Sequence, residues 1–234
     1  MFRSLAVRRL ILAGGVACLS ALVFGLAGAG AGQVLVAYNV YPLVSDGSVT
    51  TAPLADPALV NGWGLSATAT SPWWVSDNKT NLSTLYSGVG SRSALVVTVP
   101  GGPTGTVANA STTDFTISQN GASGASRFLF DTASGQILGW TPTVNSGAAV
   151  VAVDDSSSGA EFEGLAVTND RLYATDFHNA RVDAFDASFN PLSLKFADPG
   201  IPKGWAPFGV QALGGNVFVT YAKQDPKGLT PVPG

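Results

Sequence analysis

Three stretches of this chain are variations on one pattern, and that repetition constrains the fold more than any other feature of the sequence. The clearest copy is Glu163-Gly164-Leu165-Ala166-Val167, a polar turn, then Arg171-Leu172-Tyr173-Ala174-Thr175-Asp176. Downstream stands Phe208-Gly209-Val210-Gln211-Ala212, a Gly-Gly turn, and Asn216-Val217-Phe218-Val219-Thr220-Tyr221. Upstream stands Trp63-Gly64-Leu65-Ser66-Ala67, followed by Trp73-Trp74-Val75-Ser76-Asp77. Each copy has a glycine-aliphatic strand, a turn, and a second strand ending in a hydroxyl residue and, usually, an acid. Copies about 45 residues apart, with a gap of two units between the first and second, fit a unit of four short strands. Arg127 to Phe130, a turn from Asp131 to Gly135, and Gln136 to Trp140 supply a hairpin for the unit in the gap.

Past Gln33 no long stretch carries the 3.6-residue apolar stripe and charged outer face of a soluble helix. The runs are short and rich in Val, Phe, Tyr, Trp and Thr, and turn chemistry such as Pro100-Gly101-Gly102-Pro103 separates them. With 28 glycines and 14 prolines, that punctuation means an antiparallel sandwich, barrel or propeller. The repetition selects an all-β propeller of four-stranded blades over residues 34–234. Each blade would bury its faces only against its neighbours, with glycine letting the innermost strands approach one another.

Residues 1–31 are built differently. Arg3, Arg8 and Arg9 precede an apolar run from Leu10 to Leu26, which ends in Ala27-Gly28-Ala29-Gly30-Ala31. That is the layout of a cleaved secretory signal, and the run is at the lower limit for spanning a bilayer. The expected location is outside the cytoplasm, secreted or periplasmic, with no stable membrane insertion after cleavage. Arg8-Arg9 is compatible with the general and with the twin-arginine export route. Cys18 leaves with the signal, so the remaining domain has neither disulfide nor thiolate metal ligand. It would keep nine basic residues against fifteen acidic ones, about −6. A surface of that sign repels phosphates and argues against nucleic acid as a partner, leaving an unknown extracellular ligand or protein.

The run from Gly164 to Asp186 resembles an NHL repeat, with its Gly-Leu strand, Tyr-Ala-Thr-Asp strand and Asn179-Ala-Arg181-Val-Asp-Ala-Phe185 strand. Across Asp56 to Leu65, Trp74 to Asn78, Gly135 to Trp140, Asp176 to Asn179 and Tyr221 to Asp225, the chain is similar to an uncharacterised family of bacterial secreted NHL-like propellers. The resemblance implies about six blades. At about 45 residues each, roughly 200 residues make four to five, so the expectation is an incomplete, fragmentary propeller, with Val34 to Val40 as a closing strand without its partner. Five narrow blades closing by themselves are the alternative.

The register places candidate ligand-binding residues on one axial rim. Asn61, Trp63, Glu163 and Phe208 belong to the loops entering the innermost strand, and Asp77, Asn78, Asp176, His178 and Asn179 to those after the second. Asn61, Glu163 and Asp176 are the candidate oxygen ligands for a calcium-type cation, a set loosely similar to that of lactonase-like propellers with an axial metal. A plainer reading stands beside each: Asp77 and Asp176 as turn caps, Glu163 as solvated, His178 as a turn residue, and Trp63, Trp74, Trp140 and Trp205 as packing between blades. Neither a nucleophile elbow, a phosphate-binding glycine loop nor a His-Glu-x-x-His motif is present. Two functions follow: a binding or scaffold propeller, or a metal-dependent hydrolase or lyase.

Overall fold

The computed structural model describes residues 38–233 except Asn169, Lys195 and Ala197, so the signal segment lies outside the described residues. Two short parallel strands, β1 (Val44–Ser45) and β2 (Leu54–Ala55), precede the first blade. That blade is an antiparallel meander of β3 (Gly62–Ser66), β4 (Trp73–Asp77), β5 (Leu82–Tyr86) and β6 (Arg92–Thr98). The second opens with β7 (Pro103–Ala108). A separate hairpin, β8 (Thr116–Gln119) and β9 (Ala122–Ala125), intervenes before β10 (Phe128–Thr132), β11 (Gln136–Trp140) and β12 (Val150–Asp154) complete the sheet. The third blade is β13 (Phe162–Thr168), β14 (Arg171–Asp176), β15 (Arg181–Phe185) and β16 (Pro191–Leu192). A fourth unit is the hairpin of β17 (Trp205–Leu213) and β18 (Asn216–Lys223).

The described residues therefore form an arc of a β-propeller, with three four-stranded blades and the inner hairpin of a fourth. The four described units, the last a hairpin, stand at the lower end of the four to five expected, and other residues lie outside the blades. The β8–β9 hairpin, turned at Asn120 and Gly121 with φ of 52° and 82°, lengthens the second unit, and the stretch before β3 belongs to no blade. Of the expected closing strand, Tyr38 to Val40 lie outside any strand and the rest lies outside the described residues.

One irregularity repeats in all four units. The register slips between Gly62 and Leu65 in β3, between Phe162 and Leu165 in β13, and between Pro207 and Val210 in β17. In the second unit, Pro103 and Thr106 of β7 oppose Thr132 and Phe130. Each slip puts three steps of the inner strand against two of its neighbour, which is a β-bulge. At its centre stands a glycine: Gly64, Gly105, Gly164 or Gly209. A Cβ on Gly64 would lie 2.5 Å from the Thr104 carbonyl, one on Gly105 2.5 Å from the Leu165 nitrogen, and one on Gly164 3.1 Å from the Phe208 carbonyl. Inner strands thus stack backbone to backbone in the order β3, β7, β13, β17, which fixes their common axis.

Hydroxyls reinforce the same seams. Ser76 donates to the Gly105 carbonyl at 3.4 Å, Thr104 to the Phe162 carbonyl at 2.7 Å, and Thr175 to the Phe208 carbonyl at 2.6 Å. Away from the axis, each seam holds an apolar cluster. Trp74, Val97, Phe128, Phe130 and Trp140 fill the first, with Trp74 stacked on Phe128 at 4.2 Å. Phe115, Leu129, Ile137, Phe162 and Leu172 fill the second, and Tyr173, Val182, Ala184 and Val217 the third. Burying one such side chain stabilises the fold by about 1.5–3 kcal/mol. Trp74 and Trp140 are the inter-blade packing expected of them. Trp63 and Trp205 lie outside these clusters and remain 38% and 40% exposed.

Candidate functional site

The bulge register aligns the units residue by residue, and the position before the glycine is Trp63, Thr104, Glu163 and Phe208 in turn. The Trp63 and Phe208 rings, from the first and fourth units, have centroids 6.0 Å apart, and Phe177 meets Phe208 edge-on at 5.7 Å. At this position the side chains of the first and fourth units therefore meet, whereas Thr104 in the second turns into the seam toward Asp131 and the Phe162 carbonyl. Glu163 occupies it in the third blade.

Glu163 is not solvated. It is 5% exposed and its Oε2 has no hydrogen-bond partner. Burial pushes its carboxyl up to about 8, and the neighbouring acids Glu161 and Asp131 push the same way. Glu161 itself is raised to about 7 by burial, offset in part by His178, and its Oε2 also lacks a partner.

Asp131 was assigned to a turn, but it lies inside β10 and is fully buried. It stands where the other units carry Ser76, Thr175 and Thr220. Its Oδ1 accepts the Gly105 N–H and the Thr104 hydroxyl, the latter at 2.9 Å, while Oδ2 has no partner. Burial raises it to about 7. Asp131 and Glu161 are the residues that reading the template missed. The signal for Asp131 was a carboxylate in the template's hydroxyl position, visible only once β7 is aligned.

The remaining candidates are bound locally. Asn61, at φ 55°, donates its amide to the Asn78 side chain at 3.1 Å within the first blade. Asp77 does not cap a turn through its side chain. Its Oδ2 accepts the Thr84 N–H across the sheet at 3.0 Å, Oδ1 is unpartnered, and burial raises it to about 7. Asp176 does cap its turn: Oδ1 accepts the Asn179 and Glu161 N–H groups, and Oδ2 the Asn179 amide at 2.7 Å, with Arg181 at 3.2 Å. Asn179 is thereby held to Asp176. His178 packs beside Gly159 and Gly228, its carbonyl accepts from Gln224, and its Nδ1 is buried without a partner.

Of the three candidate cation ligands, Asp176 has both oxygens in bonds within its own blade, one of them facing a guanidinium, while Asn61 donates its amide N–H to Asn78 and keeps its oxygen free of that bond. Among the described residues, no three His, Cys, Asp or Glu side chains form a group able to hold a metal ion. None of the described helices is long and apolar enough to cross a membrane.

No family model matches the sequence. Two uncharacterised proteins of Acanthamoeba polyphaga mimivirus are each 27% identical to it, over 211 and 207 residues, covering 83% of this chain and 51% and 54% of theirs. A third from the same virus is 30% identical over 118 residues, covering 48% of this chain and 22% of its own. The chain thus spans about half the length, or less, of the curated relatives it matches. These relatives are viral, so the bacterial origin implied by the resemblance is not supported by them. Among solved structures, virginiamycin B lyase from Staphylococcus aureus superposes with a TM-score of 0.49 at 13% identity, over 76% of this chain and 56% of that one. A protein of unknown function from Bacteroides thetaiotaomicron gives 0.48 at 12%, over 73% and 42%. Likeness of that degree says nothing about activity. The fold stands on the repeated sheets, bulges and seams of the chain itself.

Proposed function

We propose that this chain is an exported, NHL-like binding propeller that takes an extracellular ligand at the Trp63, Glu163, Phe208 end of its inner strands. The observation that carries the reading is the division of labour among the acids. Asp176 is committed to capping and ion pairing, while Glu163 keeps an unpartnered oxygen on the inner strand next to that of Phe208. A buried polar group without a partner is costly, and fold stability alone gives no reason to keep one. The acidic composition disfavours nucleic acid, and the N-terminal segment supports export.

Thermal-shift screening of the full chain against divalent cations, amines, saccharides and lactones, with turnover followed in parallel, tests this. The expected result is a ligand that raises Tm without being consumed, with the shift lost in Glu163→Gln. Calcium-dependent turnover of a lactone or ester would overturn the binding reading in favour of a hydrolase or lyase.

A further inference from the structure

The opposite end of the inner strands carries a groove that the blades by themselves would not make. Past the end of β3 the chain turns through Ala67 to Ser71, and past the end of β7 it runs into the β8–β9 insertion. In the fourth unit Gly214 and Gly215 alone join the inner strand to its neighbour, whereas in the second everything from Asn109 to Arg127 stands between them. That insertion is pinned to its own blade. Asn145 donates to Gln119 at 2.8 Å, Ser126 donates to the Phe115 carbonyl at 2.7 Å, and a Cβ on Gly124 would lie 3.0 Å from Thr143 Oγ1. A long loop fixed to a sheet scaffold is a usual carrier of binding groups.

The insertion and the β3–β4 turn wall a groove of about 810 Å³, within the size of small-molecule sites. Arg127 is exposed and is the only charged side chain that lines it. Its guanidinium has neither ion pair nor hydrogen bond among the described residues. The hydroxyls around it are of two kinds. Those of Thr68, Ser71 and Ser111 are spent on turn N–H groups. Those of Thr70 and Thr112 are exposed and have no partner among the described residues, and Thr141 and Thr143 share one bond at 3.2 Å, which leaves one of their two protons to give. Phe128, the one ring on the lining, is 3% exposed and stacked on Trp74, so it offers no face to a ligand.

A single planar guanidinium meets one carboxylate through two parallel N–H bonds. Free hydroxyls, which both donate and accept, match hydroxyls on the ligand. A multiply charged anion would find one cation to balance it, on a chain with fifteen acidic residues against twelve basic ones. We infer that this groove binds a polyhydroxylated monocarboxylate, a sugar acid, with its carboxylate on Arg127 and its hydroxyls on Thr70, Thr112 and the Thr141–Thr143 pair. The site is separate from the Trp63 end and stands or falls without it.

The test is calorimetric titration of the full chain with sodium D-glucuronate, beside D-glucose, acetate and inorganic phosphate. Saturable glucuronate binding is expected, with glucose, which lacks the carboxylate, and acetate, which lacks the hydroxyls, each binding at least about tenfold more weakly. Arg127→Gln, checked for native circular dichroism, is expected to weaken glucuronate about tenfold or more, and Thr112→Val by a smaller factor. Arg181→Gln, which removes a positive charge at the opposite end, is expected to leave the affinity unchanged. Absence of saturable glucuronate binding, or equal affinity in the folded Arg127→Gln variant, overturns the site. Glucose binding as tightly as glucuronate overturns the role of the carboxylate, and acetate or phosphate binding as tightly overturns the sugar-acid class.

Discussion

The second and third blades share a bulge, a central glycine and a four-stranded meander, yet they reach their seams by different chemistry. In the third, Thr175 spans the seam directly, donating to the Phe208 carbonyl. In the second, Asp131 takes the hydroxyl's place and Thr104 of the inner strand makes the crossing to Phe162 instead. A threonine hydroxyl has one proton, so it serves one acceptor at a time. Thr104 Oγ1 lies within hydrogen-bonding distance of both Asp131 Oδ1 and the Phe162 carbonyl, so one proton is shared between two acceptors, while Asp131 Oδ2 has no partner. The same bulge thus tolerates either a hydroxyl or a buried acid whose carboxyl is raised by burial, provided the inner strand supplies the crossing.

The largest effect expected from breaking this comparison is at the glycines. Gly105→Ala would drive a Cβ into the Leu165 nitrogen at 2.5 Å and into Asp131, whereas Gly164→Ala meets the next strand only at 3.1 Å. Overpacking in the first is expected to cost about 3 kcal/mol and in the second about 1 kcal/mol. Urea denaturation midpoints measure the gap, and equal losses would mean that the two seams are equally tight.

Next come the crossing hydroxyls. Thr104→Val removes the side-chain donor to the Phe162 carbonyl and one of the two bonds to Asp131 Oδ1, and should cost about 2 kcal/mol, against about 1 kcal/mol for Thr175→Val. Both are read by the same denaturation.

The pH dependence sharpens the contrast further. Asp131 at about 7 and Glu163 at about 8 are raised in the fold above the ordinary carboxyl value near 4. The folded state therefore binds more protons between these values. Their contribution is fully present below about pH 4 and is lost as pH rises through about 7 to 8. Thermal unfolding is expected to show that decline. The exposed Asp154 and Asp186, held below the usual range by hydrogen bonds from Ser156 and Asn190, act the opposite way, and only as pH falls below about 4. Asp131→Asn should flatten the decline, being about 1 kcal/mol more stable than the parent at pH 8 and no more stable at pH 4. A parallel curve would show that Asp131 is ionised in the fold.

The smallest effect is at the rim of the third blade. Arg181 is 48% exposed, and Asp176 keeps its three bonds from Glu161 and Asn179 without it. Arg181→Gln is expected to cost no more than about 0.5 kcal/mol in chemical denaturation.

The repeat in the third blade was legible because its strands are contiguous and its turn is short, so template and hairpin coincide. The second blade was only half legible. Its outer hairpin was identified, but its inner strand, Pro103–Ala108, is separated from β10 by the β8–β9 insertion, and Thr104-Gly105 lacks an aromatic or aliphatic marker. Asp131 followed Phe-Leu-Phe and preceded a Thr-Ala-Ser-Gly turn, so its position read as turn chemistry. Burial reversed that. Glu163 was singled out for its place beside a strand glycine, but its solvation depended on what the adjoining blades cover.

By itself, the sequence determined the all-β class, the unit of four short strands and the glycine at three of the four inner strands, because strand periodicity and turn residues are local properties of the chain. Only the tertiary structure decided which acids are spent on backbone donors and which are left without a partner. That outcome depends on the backbone of the next blade, which lies far away along the chain and within hydrogen-bonding distance across the seam.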